Sequence, residues 1–233
     1  MELELSMRRL VFMAVIGLGG ATILASLGVW QVHRLTWKEG LLDKIAEEIS
    51  ATPIPLVDGL VPEFRRYAPV MITGKFNKGY IRMLASRKSI GPVYRIIRPF
   101  AVDGYGAVLV DTGWQTETAP VAPTPMSKLS LIGNLDIPNE ADSFTPMPDL
   151  TSNIWFARDV PEMAKELGAE NILVVLRETS GTNLGVTAWP VNTAGISNDH
   201  LQYAVTWFSL AFIWLVMTAF FVFRPNSKIV RKA

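Results

Sequence analysis

Cysteine is absent from the 233-residue chain, and histidine occurs only twice, as His33 and His200. Without thiols there is no disulfide framework, zinc ribbon, iron–sulfur cluster, covalent c-type haem attachment or thiol copper carrier. Two histidines do not make a three-histidine metal centre. Charge is scarce as well. Asp, Glu, Lys and Arg make up 18% of the residues, against about 25% in an average soluble domain. The formal net charge of +1 leaves no basic excess for a nucleic-acid partner. The nine methionines show no Met-x-Met clustering of the kind that holds copper(I).

What the chain does have is apolar surface: 49% hydrophobic residues and a mean hydropathy of +0.26. It is concentrated at the ends. Leu10 to Trp30 is a run of 21 residues without a charge, and Leu201 to Phe223 is a run of 23. About 20 helical residues cross the hydrocarbon core of a bilayer, so both runs are long enough. The first exceeds the roughly 7–15 apolar residues of a cleaved signal peptide, and Ile23 spoils the small-residue cleavage pattern before Ala25. An uncleaved helix is therefore expected.

Orientation follows from the second run. Arg224, Lys228, Arg231 and Lys232 follow it, whereas Val186 to His200 contains no lysine or arginine. The positive-inside rule then puts both termini in the cytoplasm. Glu2 and Glu4 argue against a mitochondrial presequence. The expected organisation is a cytoplasmic tail at 1–9, a transmembrane helix at 10–32, a periplasmic β-rich domain with a helical stem at 33–199, a second transmembrane helix at 200–223 and a basic cytoplasmic tail at 224–233. The setting is a bacterial inner membrane.

Between the spans, β-branched and aromatic runs predict strands over Arg66–Lys75, Tyr80–Ala85, Tyr94–Val102, Ala107–Gln115, Leu129–Asp136, Asn153–Arg158 and Ile172–Glu178. Asp159, Glu162 and Gly168 have the spacing of a capped short helix. Pro120–Pro125 and Pro138–Pro148 are expected as loops. Many strands and one helix predict a small barrel or sandwich.

Enzyme motifs are thin. Gly17, Gly19 and Gly20 sit inside an apolar span with no preceding strand, and Asp199 beside His200 is half a dyad with no nucleophile. The spans carry more. His200, Tyr203, Ala204, Trp207, Ala211, Trp214 and Thr218 share one helix face, and Ala14, Gly17, Ala21, Ala25 and Gly28 form a small-residue stripe on the other span. Such faces suit either plain helix packing or a planar ligand. Gln31, Arg34 and Lys38 share a face beside His33. Histidine ligates haem, and both histidines lie at the same membrane surface. Arg34 and Lys38 suit haem propionates, subunit carboxylates or lipid phosphates equally.

Leu27-Gly28-Val29-Trp30-Gln31-Val32-His33-Arg34 with Trp37-Lys38 resembles the Trp-Gln-x-x-Arg-x-x-x-Lys motif that ends the first span of the Surfeit-locus cytochrome oxidase assembly family. Asn198 to Phe208 resembles that family's motif opening the second span, and Val70–Phe76, Gly113-Trp114 and Trp155–Gly168 are similar in order and spacing. Thr112 stands where the family usually has arginine, and Asp199 where it has a second asparagine. His33 is not a family histidine. The resemblance implies a non-enzymatic assembly factor for a haem–copper terminal oxidase. Such a factor assists insertion of haem a (or o) into oxidase subunit I, with a haem a/o synthase as donor and the lipid bilayer as its setting. It implies His200 as the iron ligand, transient haem a as cofactor, and Trp207, Tyr203, Arg34, Lys38 and Gln31 around it. His200 and Trp207 are about 10.5 Å apart along a helix axis, and an indole is a poor metal ligand, which fits Trp207 to the pocket wall. A permanent accessory subunit of a quinol or cytochrome c oxidase, without haem of its own, is the alternative.

Overall fold

The computed structural model describes residues 2–179 and 183–223; the basic tail from Arg224 to Lys232 lies outside the described residues. In chain order the elements are α1 (Glu2–Ser50), β1 (Ile54–Pro55), α2 (Leu56–Leu60), β2 (Pro69–Phe76), β3 (Ile81–Arg87), β4 (Gly91–Val102), β5 (Gly106–Thr116), β6 (Leu129–Asp136), β7 (Ile154–Trp155), α3 (Val160–Leu167), β8 (Glu170–Thr179) and α4 (His200–Phe223). They form two units, residues 1–43 with 194–233 and residues 44–193.

The first unit holds two helices long and apolar enough to cross a membrane. No proline occurs before Pro53, so α1 runs unbroken through the apolar stretch and on to Ser50. It pairs antiparallel with α4 through its small residues. A Cβ added at Gly17 would meet the Thr218 side chain at 2.1 Å, one at Gly20 the Trp214 indole at 2.6 Å, and one at Gly28 the Phe208 ring at 2.7 Å. Ala21 opposes the same interface from α1, and Ala204 and Ala211 are the buried residues of α4. Small residues at alternating three- and four-residue steps let the backbones approach closely, which in lipid supplies the dispersion contact that hydrophobic burial does not.

In the second unit, β2, β6, β8, β5 and β4 pair in that order, and β4 returns to β2, so the sheet closes into a barrel. The expected barrel is therefore present, and the sandwich is not. Closure rests on Gly74↔Val102, Lys75↔Ala101 and Phe76↔Phe100. A Cβ on Gly74 would lie 1.9 Å from the Ala101 carbonyl oxygen, so only glycine admits this approach. All ring pairings are antiparallel except β5 with β8. Strand alternation then sorts the side chains. Val70, Ile72, Phe76, Phe100, Val110 and Val174 belong to one core cluster, with Phe76 and Phe100 edge-to-face at 4.9 Å. Leu109, Leu173 and Val175 point to the other face, where Val160, Met163 and Ala164 of α3 cover them. Each such large apolar side chain, fully buried, stabilises the fold by about 1.5–3 kcal/mol.

The short helix follows its sequence signals. Asp159 accepts a hydrogen bond from the Glu162 amide, and Gly168 ends α3 in the left-handed region at φ 62°. The run Asn153–Arg158 differs from expectation, since only Ile154–Trp155 pairs, parallel to β3. The Asp149 carboxylate gathers the Thr151 and Ser152 amides into a turn immediately before it, which shortens the strand. β1 and α2 lay below the reach of periodicity at two and five residues; Leu56 of α2 joins the barrel core. Residues 44–50, the end of α1, belong to this second unit. The Ile49 carbonyl accepts from Asn134 Nδ2 at 2.9 Å and from Arg177 Nη1 at 3.2 Å, which satisfies one of the carbonyls a helix C-terminus leaves open.

Candidate functional site

The polar feature of the helix pair is one hydrogen bond. His200 is the first residue of α4, and its Nδ1 lies 2.8 Å from Oε1 of Gln31 on α1. Gln31 is 8% exposed, the buried polar residue of that helix interface. It continues the phase of Gly17, Ala21 and Gly28, which explains why the sequence folds it inward. An amide oxygen accepts only, so the imidazole Nδ1 carries the proton and donates. In the neutral ring this arrangement would leave the Nε2 lone pair available. A neutral imidazole with one nitrogen committed to a hydrogen bond and the other open is the form in which histidine binds a metal.

The other candidates distribute around this bond. Tyr203, three residues after His200, is exposed, and Trp207, seven residues after it, is half-buried. On α1, the Arg34 guanidinium stacks on the exposed Trp37 ring at 4.2 Å, and Lys38 is half-buried one turn beyond Arg34. His33 is exposed. Residues two apart on a helix differ by about 200° in direction, so once Gln31 faces α4, His33 faces away. The structure thus brings Gln31, and not His33, to His200. Among the described residues no group of three or more His, Asp or Glu side chains gathers to hold a metal ion. The site offers one imidazole held by a buried amide, with the half-buried Trp207 indole two turns along the same helix.

A second polar cluster, in the barrel domain, was only half visible in the sequence. Gly113 adopts φ 126° and sits where a Cβ would meet the Thr187 carbonyl oxygen at 2.3 Å. That close approach lets Trp114 and Thr187 exchange two backbone hydrogen bonds of 2.8 Å. Arg87 lies over both the Trp114 and Trp189 rings, at 4.8 Å each, and Arg95 lies over Trp189 at 4.7 Å. Arg95 in turn donates to the buried Asp111 at 2.6 Å, whose other oxygen accepts from the Gly113 amide. Burial pushes the Asp111 carboxyl above its ordinary value, and the Arg95 charge opposes but does not cancel that push. The Gly113-Trp114 pair was the signal for this cluster. Arg87, Arg95 and Trp189 gave none, because only the folded sheet brings them together. Cations stacked on indoles with one buried carboxylate form a latch that holds residues 187–189 on the barrel.

A third network surrounds Asp136, which pairs with Arg66 at 3.2 Å and Arg158 at 3.3 Å. Arg158 also pairs with Glu140 at 2.5 Å. Burial pushes the Glu140 carboxyl up, but the hydrogen bond and charge of Arg158 together outweigh it, and the net shift is downward.

The SURF1 family profile matches residues 18–212 of the chain. A SURF1-like protein of Rickettsia prowazekii (strain Madrid E) is 32% identical over 221 residues, covering 89% of this chain and 87% of the relative. Surfeit locus protein 1 of Xenopus tropicalis is 28% identical over 209 residues, covering 79% of this chain and 67% of the relative. Surfeit locus protein 1 of Rattus norvegicus is 26% identical over 215 residues, covering 81% and 70%.

Proposed function

The chain belongs to the SURF1 family, and from that membership and the His200–Gln31 pair we propose that it is an assembly factor for a haem–copper terminal oxidase. In this reading it receives haem a, or the related haem o, from a haem synthase and assists its insertion into oxidase subunit I. It acts as a carrier and not as a catalyst. It sits in a bacterial inner membrane with both termini cytoplasmic and the barrel domain periplasmic, in line with the cation-free segment before α4 and the cations after it.

The single observation that carries the reading is the hydrogen bond between Gln31 and His200. A buried glutamine that spends its carbonyl on Nδ1 fixes both the tautomer and the ring orientation of His200 and directs the Nε2 lone pair toward cargo. Gln31 is then a positioning residue for the ligand. His200 holds the haem iron, Trp207 and Tyr203 supply apolar wall, and Arg34 and Lys38 supply positive charge for the propionates. Among the described residues no group of three or more His, Asp or Glu side chains gathers here, and a site built on one histidine is weak and exchangeable, which suits a protein that must release its cargo.

Affinity purification of the full chain from oxidase-producing cells tests the reading. Recovery with haem-deficient subunit I is the expected result. Stoichiometric recovery with the mature, active oxidase would instead make it a permanent accessory subunit.

A further inference from the structure

We propose that the groove between α3 and the Ala141–Leu150 loop is a docking site for a cationic segment of a protein partner, anchored by an apolar side chain. The groove has a volume of about 380 Å3, and its floor is the buried Trp155 with Phe156 beside it. Met147, which lines it, is 86% exposed, and Phe144 of the same loop, two residues from the lining Asp142, is 90% exposed. Single exposed apolar residues are ordinary, but two bulky ones beside an apolar groove form a patch that marks an interaction surface.

The loop holds these side chains outward by construction. Asp142 Oδ1 accepts from the Phe144 amide at 2.9 Å and from the Thr145 hydroxyl at 3.0 Å, and the Thr145 amide donates to the Asp142 carbonyl. Asp149 fixes the next turn through the Thr151 and Ser152 amides. A segment with this many internal hydrogen bonds displays Phe144 in a set geometry. The bonds from the Phe144 amide and Thr145 hydroxyl also hold the Asp142 carboxyl below its ordinary value, so it is ionised at neutral pH.

Charge selects the occupant. From Asp136 to Glu170 the chain carries eight carboxylates against two cations, Arg158 and Lys165. Arg158 is spent on Asp136 and Glu140, and Lys165 pairs with Glu162. Asp142, Asp159, Glu162 and Glu166 line the groove against one lining cation, Lys165, so the rim keeps an excess of negative charge. An apolar slot with an acidic rim attracts a lysine- or arginine-bearing segment and repels both acidic peptides and anionic lipid headgroups. This surface lies in the barrel domain and does not depend on the haem reading.

The test places the photo-crosslinking amino acid p-benzoylphenylalanine at Phe144 in the full-length protein, in membranes of its native host. The adduct's peptide is then identified by mass spectrometry. The expected result is one protein peptide with an excess of Lys and Arg over Asp and Glu. Its yield should fall at least fivefold when Glu162→Lys and Glu166→Lys are added, and by less with Glu162→Gln and Glu166→Gln. Near-UV circular dichroism of the charge variants, expected to match the parent, guards against a fold defect. Adducts only with lipid, an adduct with a neutral or acidic peptide, no adduct, or a yield indifferent to charge reversal would each overturn the proposal.

Discussion

Asp111→Asn puts the strongest demand on the account of the barrel domain. The substitution keeps an oxygen for the Gly113 amide, 3.2 Å away, and removes only the charge that faces Arg95 at 2.6 Å. The Arg95 side chain is 8% exposed, so its guanidinium is left buried without a counter-ion. Breaking a buried pair from one side costs about 3–5 kcal/mol. At about 2–4 °C per kcal/mol for a chain of this size, Tm should fall by about 6–20 °C. The reverse variant, Arg95→Met, leaves Asp111 buried without its ion-pair partner, with its carboxyl already pushed up by burial. A carboxyl whose folded pKa is raised makes the folded state bind more protons, so stability falls as pH rises through that pKa. The loss in Arg95→Met should therefore grow as pH rises above the ordinary carboxyl value of 3.8, while Asp111→Asn, which has no titrating group there, should show no such growth. Thermal unfolding of the full chain in detergent, followed by near-UV circular dichroism, reads both. Because the residues touch, the double variant should fall short of the summed losses by about 0.5–3 kcal/mol. A Tm within 2 °C of the parent for Asp111→Asn, or a pH-independent loss in Arg95→Met, would refute the reasoning.

Three further outcomes follow from single contacts. Gly74→Ala places a Cβ 1.9 Å from the Ala101 carbonyl oxygen, so the strand closing the barrel must shift, at about 1–3 kcal/mol; faster amide exchange at residues 74–76 checks it. Asn134→Ala removes the bonds to the Ile49 and Tyr67 carbonyls and should destabilise by about 1–3 kcal/mol, with exchange protection lost at the end of α1. Glu140 has a folded pKa below its ordinary value, so its contribution is present at neutral pH and lost as pH falls through that depressed value. Glu140→Gln should reduce the slope of Tm against pH below about 4.5, the ordinary value.

The architecture was legible where local signals are strong. The uncharged runs gave the two long helices, Leu129–Asp136 came out with its observed ends, and Asp159 with Gly168 bracketed α3 correctly. Closure of the barrel was not legible, because it depends on β2 meeting β4 across intervening β3, and the enabling glycine at position 74 looks like any turn residue. The small stripe on α1 was legible from its spacing. Gln31 joined the set around His200 only through the family resemblance; its place in the same phase and its hydrogen bond to His200 were not legible, since one polar residue at the end of an apolar pattern reads equally well as solvated. The latch of Arg87, Arg95, Trp114 and Trp189 was beyond reach, joining residues more than ninety positions apart in the chain.

The proposed ligation of haem by His200 is read directly by absorption spectroscopy of the full chain purified from cells that make haem a. A Soret band is expected in the parent, lost or shifted in His200→Ala, and weakened but present in Gln31→Leu because the imidazole remains while its orientation is released. A His200→Ala protein that retains haem with an unchanged spectrum would contradict it.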